Sequence, residues 1–258
     1  MFGVAEAKAI IAGLVAVFVS HSHADHCLGL PGLLQARGQR LRPLLAVLPE
    51  PVHAWLEEAH AHLLAHAYCV SCGGFAGGPL LAAVHGSQYA AVDGAASAVM
   101  HEAGFVGWAC PRVRHCYQGF GVVLQHWQGW KFVFSGDTMP CDELVRLGMG
   151  ATLLVHEATF ADDLSADAVR KRHSTISEAL EVAQRMRAWR VVLTHFSQRY
   201  ARNAPDVWAS KKVRSGAALA ALSRAAPAFD GMVLPFSRLH TVAALARAMM
   251  PFLAENMN

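Results

Sequence analysis

Apolar runs of membrane length are missing early in this 258-residue sequence: the longest, Ala9 to Val19, falls short of the roughly 20 residues that span a bilayer. No small-residue cleavage site follows it, so no signal peptide is expected. Low-complexity linkers and internal repeats are absent as well, which argues for a single domain over residues 1–258. The six cysteines (27, 69, 72, 110, 116 and 141) read as reduced, intracellular thiols and not as a disulfide framework. Cys69 and Cys72 form a lone CxxC without the second pair that a structural zinc site needs. Strong net charge is missing too: +3 does not announce a nucleic-acid binder. The charge is uneven, however. Residues 166–214 hold 11 Lys and Arg against 4 Asp and Glu, either a surface that follows a phosphate backbone or a solvated helical face.

What is present suffices for a core. Hydrophobic residues make up 54% of the chain, ample for one large α/β domain. Short apolar runs (LVAVFV, PLLAVL, KFVFS, TLLVH and RVVLTH) alternate with helical stretches at Pro51–Ala67, Ser174–Met186 and Val242–Leu253, a pattern of α/β layering. The Gly-rich stretch Cys72–Gly78 is expected to be a loop, and the Ala-rich Ala82–Ala103 favours no element.

Four strand-like runs end on reactive side chains. LVAVFVS runs into His21, WKFVFSG into Asp137, ATLLV into His156 and Glu157, and RVVLT into His195. Strand ends meeting at one rim of a sheet are where α/β proteins gather ligands and catalytic groups. The densest is VSHSHADH, residues 19–26. On an extended or turning backbone side chains alternate, so His21, His23 and Asp25 are expected on one side and His26 on the other. Two imidazoles on one side suit one divalent ion; the aspartate and the last histidine suit a second. Neutral imidazole and carboxylate bind zinc and tolerate manganese or iron.

HSHADH resembles the signature of the metallo-β-lactamase superfamily. Five later motifs narrow the resemblance: VRHCYQGFG (113–121), FSGDTMPCDELV (134–145), LLVHEATF (153–160), KRHST (171–175) and THFSQRY (194–200). Together they are similar to those of tRNase Z. The resemblance implies an α/β fold of the αββα sandwich type, holding two zinc ions (manganese being an alternative), and removal of the 3′ trailer from precursor tRNA. It implies His21, His23 and His115 as ligands of one ion, Asp25, His26 and His195 as ligands of the other, and Asp137 as the bridge. Asp25 then orients the attacking water and accepts its proton. His173 hands a proton to the leaving 3′ oxygen while Glu157 holds its imidazole in the right tautomer. Arg199 and Tyr200 either contact RNA or pack the metal loop. Arg170, Lys171, Arg172 and Arg199 are expected to touch phosphates. His60, His62, His66, His85, His101 and His126 match no motif.

Two departures refine the resemblance. Short tRNase Z proteins insert a long arm, which grips the tRNA elbow, between the metal histidine and the bridging aspartate. Only 21 residues separate His115 from Asp137, so the chain resembles instead the carboxy-terminal catalytic half of the long form. The arm then belongs to an amino-terminal partner half, and the family's first strands are expected to precede residue 1. The long form implies an intracellular protein of the nucleus, the mitochondrion or both, a chain of another form the cytoplasm, and neither a membrane partner. Two alternatives stay open: another hydrolase of the superfamily, and an inactive half serving as a binding module. HEAT and KRHST, for which those other hydrolases have no matching use, and the complete ligand set favour the nuclease.

Overall fold

The computed structural model describes residues 3–38, 42–80, 94–197, 220–244 and 248. The chain divides into two compact units, Met1–Arg112 with Cys116–Gly129, and Val113–His115 with Trp130–Asn258.

In the first unit, strands β1 (Ala16–Phe18), β2 (Leu44–Leu48) and β3 (Ala67–Ser71) form a parallel sheet in that order. All five residues of β2 are buried, as its uninterrupted LLAVL demands of a central parallel strand. Leu44, Ala46 and Leu48 share one face by the two-residue period of a strand, and they pack with Leu30, Leu34, Val52 and Leu56. Those partners lie on α3 (Gly29–Arg37) and α4 (Glu50–His60). Between β1 and α3 lies α2 (Ala24–Cys27), a single turn. The stretch read as one helix from Pro51 is in fact two elements. His60 leaves helical geometry at φ −140°, and Ala61–His66 continues as a 3-10 helix, tied to α3 by a 3.0 Å bond between His66 Nδ1 and the Leu34 carbonyl. A helix not foreseen, α1 (Val4–Gly13), precedes β1; none of its residues is buried, so it carries no apolar stripe for a periodicity argument to find.

The same unit contains an antiparallel set in which β4 (Ala76–Gly77) pairs with β5 (Phe105–Ala109), and β5 with β6 (Val122–His126). Cys72–Gly78, expected to be a loop, thus holds a 3-10 turn at Cys72–Gly74 followed by β4. Gly77 is glycine for a steric reason. A Cβ there would lie 2.2 Å from the ring of Trp108, which is itself buried. Of Ala82–Ala103, the described part forms α5 (Gly94–Glu102), while residues 82–93 lie outside the described residues.

The second unit holds β7 (Lys131–Phe134), β8 (Leu153–Glu157), β9 (Arg190–Thr194) and β10 (Ala225–Pro227), neighbours in that order and all parallel. After β7 comes α6 (Asp142–Leu147), and two helices, α7 (Ser165–Lys171) and α8 (Ile176–Arg185), lie between β8 and β9 in the chain. Helix α8 is the strongly amphipathic one, burying Ile176, Ala179, Leu180, Val182 and Ala183, and it starts on a full capping box between Thr175 and Glu178. Leu153, Val192, Ala226, Leu239 and Val242 form a further apolar cluster. Of the expected helix Val242–Leu253, only residues 242–244 and 248 are among those described. Because β7, β8 and β9 run parallel, their carboxyl ends lie on one edge. That edge carries Asp137, Glu157 and His195.

Candidate metal centre

The first unit holds the VSHSHADH stretch. Residues 24–27 do not stay extended but turn into α2, with His23 in extended geometry at its N-cap. The turn changes where His26 points: its ring lies 4.1 Å from that of His21 by centroids, closer than that of His23 at 4.6 Å. The expected opposition of His26 to His21 is therefore corrected, because the helical turn at Ala24–Cys27 brings His26 back toward His21. His21 is buried, with Ser20 Oγ 3.0 Å from Nδ1 and His23 Nδ1 3.0 Å from Nε2. Asp25 is exposed, its Oδ2 3.5 Å from His26 Nε2.

The second unit is organised around a buried carboxylate. Glu157, the last residue of β8, is 1% exposed. Its Oε1 accepts from the Thr138 amide at 2.8 Å and from His173 Nδ1 at 2.8 Å. Its Oε2 accepts from the Thr159 amide (3.1 Å), the Thr159 hydroxyl (2.7 Å) and the Ser174 amide (3.1 Å). Burying a charge is costly unless it is fully hydrogen-bonded, and five donors meet that condition here. The same bonds pin three loops, at Thr138, Thr159 and His173–Ser174, to one strand end.

Tautomers follow from this network. The Thr159 hydroxyl gives its one proton to Glu157, so toward His195 Nδ1, 2.8 Å away, it can only accept. His195 thus carries a proton on Nδ1, and its Nε2 lies 3.5 Å from Asp137 Oδ2. His115 repeats the arrangement by another route. Its Nδ1 donates to the Arg172 carbonyl at 2.9 Å, which leaves Nε2 3.8 Å from the same Asp137 oxygen. Histidines held through Nδ1 in this way turn Nε2 toward a buried carboxylate, the orientation in which imidazole and carboxylate serve as metal ligands. The donor set therefore fits a divalent metal. Ligand atoms of His115, Asp137 and His173 lie within 4.8 Å of one another, as do those of Glu157, His173 and His195. Both backbones that carry this geometry are strained: His195 has φ 61° and Arg172 φ 58°, left-handed values uncommon outside glycine.

Burial pulls His173 toward a lower pKa, but its hydrogen bond to Glu157 and the charges of Glu157 and Asp137 outweigh this, and the pKa is raised. His156 goes the other way. Its burial holds the pKa below the ordinary value, although Nδ1 donates to the Glu157 carbonyl at 2.6 Å. Nε2 of His156 meets no hydrogen-bond partner among the described residues.

The basic residues expected to touch phosphates also have partners within the protein. Arg172 donates to the His115 carbonyl at 2.9 Å, and Arg170 pairs with Asp167 at 2.5 Å, so both have structural partners. Lys171 lies over the Phe160 ring. Arg199 and Tyr200 lie outside the described residues. Sequence reasoning missed Thr159, Thr138 and Ser174. Their signal was present, since each is a hydroxyl residue one or two places from a motif acid or histidine.

Comparison with known proteins agrees with this picture. A profile of the beta-lactamase superfamily domain matches residues 4–196. The chain is 43% identical over 208 residues to human zinc phosphodiesterase ELAC protein 2, covering 75% of this chain and 24% of that protein. It is 37% identical over 213 residues to the mitochondrial ribonuclease Z of Drosophila melanogaster, covering 78% of this chain and 26% of that one. The crystal structure of a long-form RNase Z from yeast matches with a TM-score of 0.77 and 26% identity, over 99% of this chain and 36% of that one. The chain thus spans about a quarter of the length of the curated relatives it matches. Sequence profile, relatives and fold agree with the histidine and carboxylate strand ends: the chain belongs to the β-lactamase superfamily, within which it resembles the ribonuclease Z proteins.

Proposed function

We propose that this chain is a metal-dependent phosphodiesterase that cuts the 3′ trailer from precursor tRNA. The observation that carries the reading is the pair of Nδ1-protonated histidines, His115 and His195, aimed at one oxygen of Asp137 beside the Glu157–His173 pair. The names of the relatives, a zinc phosphodiesterase and a ribonuclease Z, support zinc and an RNA substrate. The ligands are those that the motifs assign: His21, His23, Asp25, His26, His115, Asp137 and His195. Bound there, two zinc ions would clamp a phosphodiester and acidify a water.

The protein's own groups do the rest. Asp25 is exposed and beside His26, and it accepts the proton of the attacking water. His173 donates Nδ1–H to Glu157, so the proton it can release is the one on Nε2, and its raised pKa keeps that proton available nearer neutral pH. It delivers this proton to the leaving 3′ oxygen. An arm-bearing half of the kind the resemblance implies supplies the grip on the folded tRNA. The Drosophila relative's name includes "mitochondrial", and we propose that compartment for the protein.

Two substitutions separate the roles. Asp25→Ala is expected to abolish cleavage of precursor tRNA and to lower metal content. His173→Ala is expected to leave metal content unchanged while slowing the chemical step by roughly 10²–10⁴. Single-turnover cleavage and elemental analysis of both variants decide it. Loss of metal from His173→Ala equal to that from Asp25→Ala would rule out the proton-donor role.

A further inference from the structure

A cavity of about 350 Å³ in the first unit is lined by Glu50, Ser71, Gly74, Arg112, Gln118 and Phe120 among its residues. It adjoins the histidine stretch: the Phe120 amide donates to the Ser20 carbonyl at 2.9 Å, one residue from His21. Its volume lies at the small end of the ligand-cavity range. Its lining includes one basic and one acidic side chain, Arg112 and Glu50. The Arg112 guanidinium carbon lies over the Phe120 ring, 5.8 Å from its centroid, a cation–π contact. The Glu50 carboxylate is oriented by Gln118, whose Nε2 donates to Oε2 at 2.5 Å while its Oε1 accepts from the Glu50 amide at 2.9 Å. Gln118 is buried and sits at φ 54°, a left-handed value that a non-glycine residue adopts at a cost, so the orientation is built in. Ser71 Oγ accepts from the Gly73 amide at 3.3 Å, which leaves its proton for an acceptor.

We propose that this cavity takes a guanine base, stacked on the Arg112 plane with its Watson–Crick edge on Glu50. The proposal rests on the phosphodiesterase reading for the RNA strand that presents the base. A fixed carboxylate selects a partner with two adjacent N–H donors. Guanine has them at N1 and N2. Adenine and cytosine set a ring acceptor beside their amino group, and uracil flanks one N–H with two carbonyls, so each meets the carboxylate with at least one repulsive contact. Stacking on a guanidinium plane is indifferent to base identity, and the Ser71 proton suits the guanine O6.

The test uses phosphate-free probes, so that the metal site does not capture them. Binding of guanosine, inosine and adenosine to the chain is measured by saturation-transfer NMR. Guanosine is expected to bind roughly tenfold to a hundredfold more tightly than adenosine, with inosine, which lacks the N2 amine, between them. Glu50→Gln should remove the preference. Gly74→Leu should remove binding of every nucleoside, since a Cβ there meets nothing within 4 Å and the longer side chain can enter the cavity. Circular dichroism establishes that both variants are folded. Equal affinity for guanosine and adenosine, a preference that survives Glu50→Gln, or full binding by Gly74→Leu overturns the proposal. Hydrolysis of bis(nitrophenyl) phosphate by the zinc-loaded wild-type chain is assayed in parallel. Failure there counts against the phosphodiesterase reading alone, because nucleoside binding is read without it.

Discussion

Thr159 and His156 sit three residues apart and act on the site by opposite means, one through a bond it makes and the other through a bond it lacks. Thr159→Val keeps the shape of the side chain but removes the oxygen that receives His195 Nδ1–H at 2.8 Å. The imidazole is then free to change tautomer, and zinc affinity is expected to fall about 10- to 100-fold, the usual effect of removing a group that orients a metal ligand. Competition with a chromophoric chelator measures it; unchanged affinity would mean that something else fixes His195. His156 is buried and held below its ordinary pKa by that burial. An unfolded chain therefore binds a proton at His156 that the folded one refuses, so stability from this group is present above about pH 6.5 and is lost as pH falls below it. Urea melts of wild type and His156→Gln at pH 7.5 and 5.5 should show the smaller acid loss in the variant. His173, with its raised pKa, contributes in the opposite sense, losing stability as pH rises, so the comparison must be made variant against wild type.

Helix α8 shows how an element places a catalytic candidate. Its capping box closes on Thr175, whose hydroxyl accepts from the Glu178 amide at 3.3 Å while Glu178 Oε2 accepts from the Thr175 amide at 2.8 Å. His173 and Ser174 precede that cap directly, so the helix start holds the KRHST stretch at Thr175 while the Glu157 carboxylate holds it at His173 and Ser174. Thr175→Ala is expected to cost about 1 kcal/mol, within the range for loss of an N-cap side chain. The change should appear as a lower urea midpoint at unchanged slope. The parallel strands do related work: their common direction puts Asp137, Glu157 and His195 on one edge, and hydroxyl-bearing loops then tie those ends together.

For the chain as a whole, elemental analysis of purified, folded protein is expected to give close to two divalent ions per chain, and a value near zero would reject the ligand assignment. Removing them with a chelator should lower the melting temperature, since an ion held only by the native state stabilises it by about 2.7 kcal/mol at a hundredfold excess over its dissociation constant. The sequence already carried the family, the strand ends and the ligand types, because motifs such as HSHADH, HEAT and KRHST are written in consecutive residues and the apolar runs before them have strand length. It did not carry α1, which buries nothing and so shows no apolar stripe, nor the break at His60 and β4 in a glycine-rich stretch, which depend on packing and not on period. The chemistry of the site divides the same way. Which residues are candidates to bind a metal or move a proton was determined by the sequence alone. Which nitrogen each imidazole offers was decided only in the folded chain, because Thr159 lies 36 residues from His195 and the Arg172 carbonyl 57 residues from His115, and a hydrogen bond across such a separation exists only once the chain has folded.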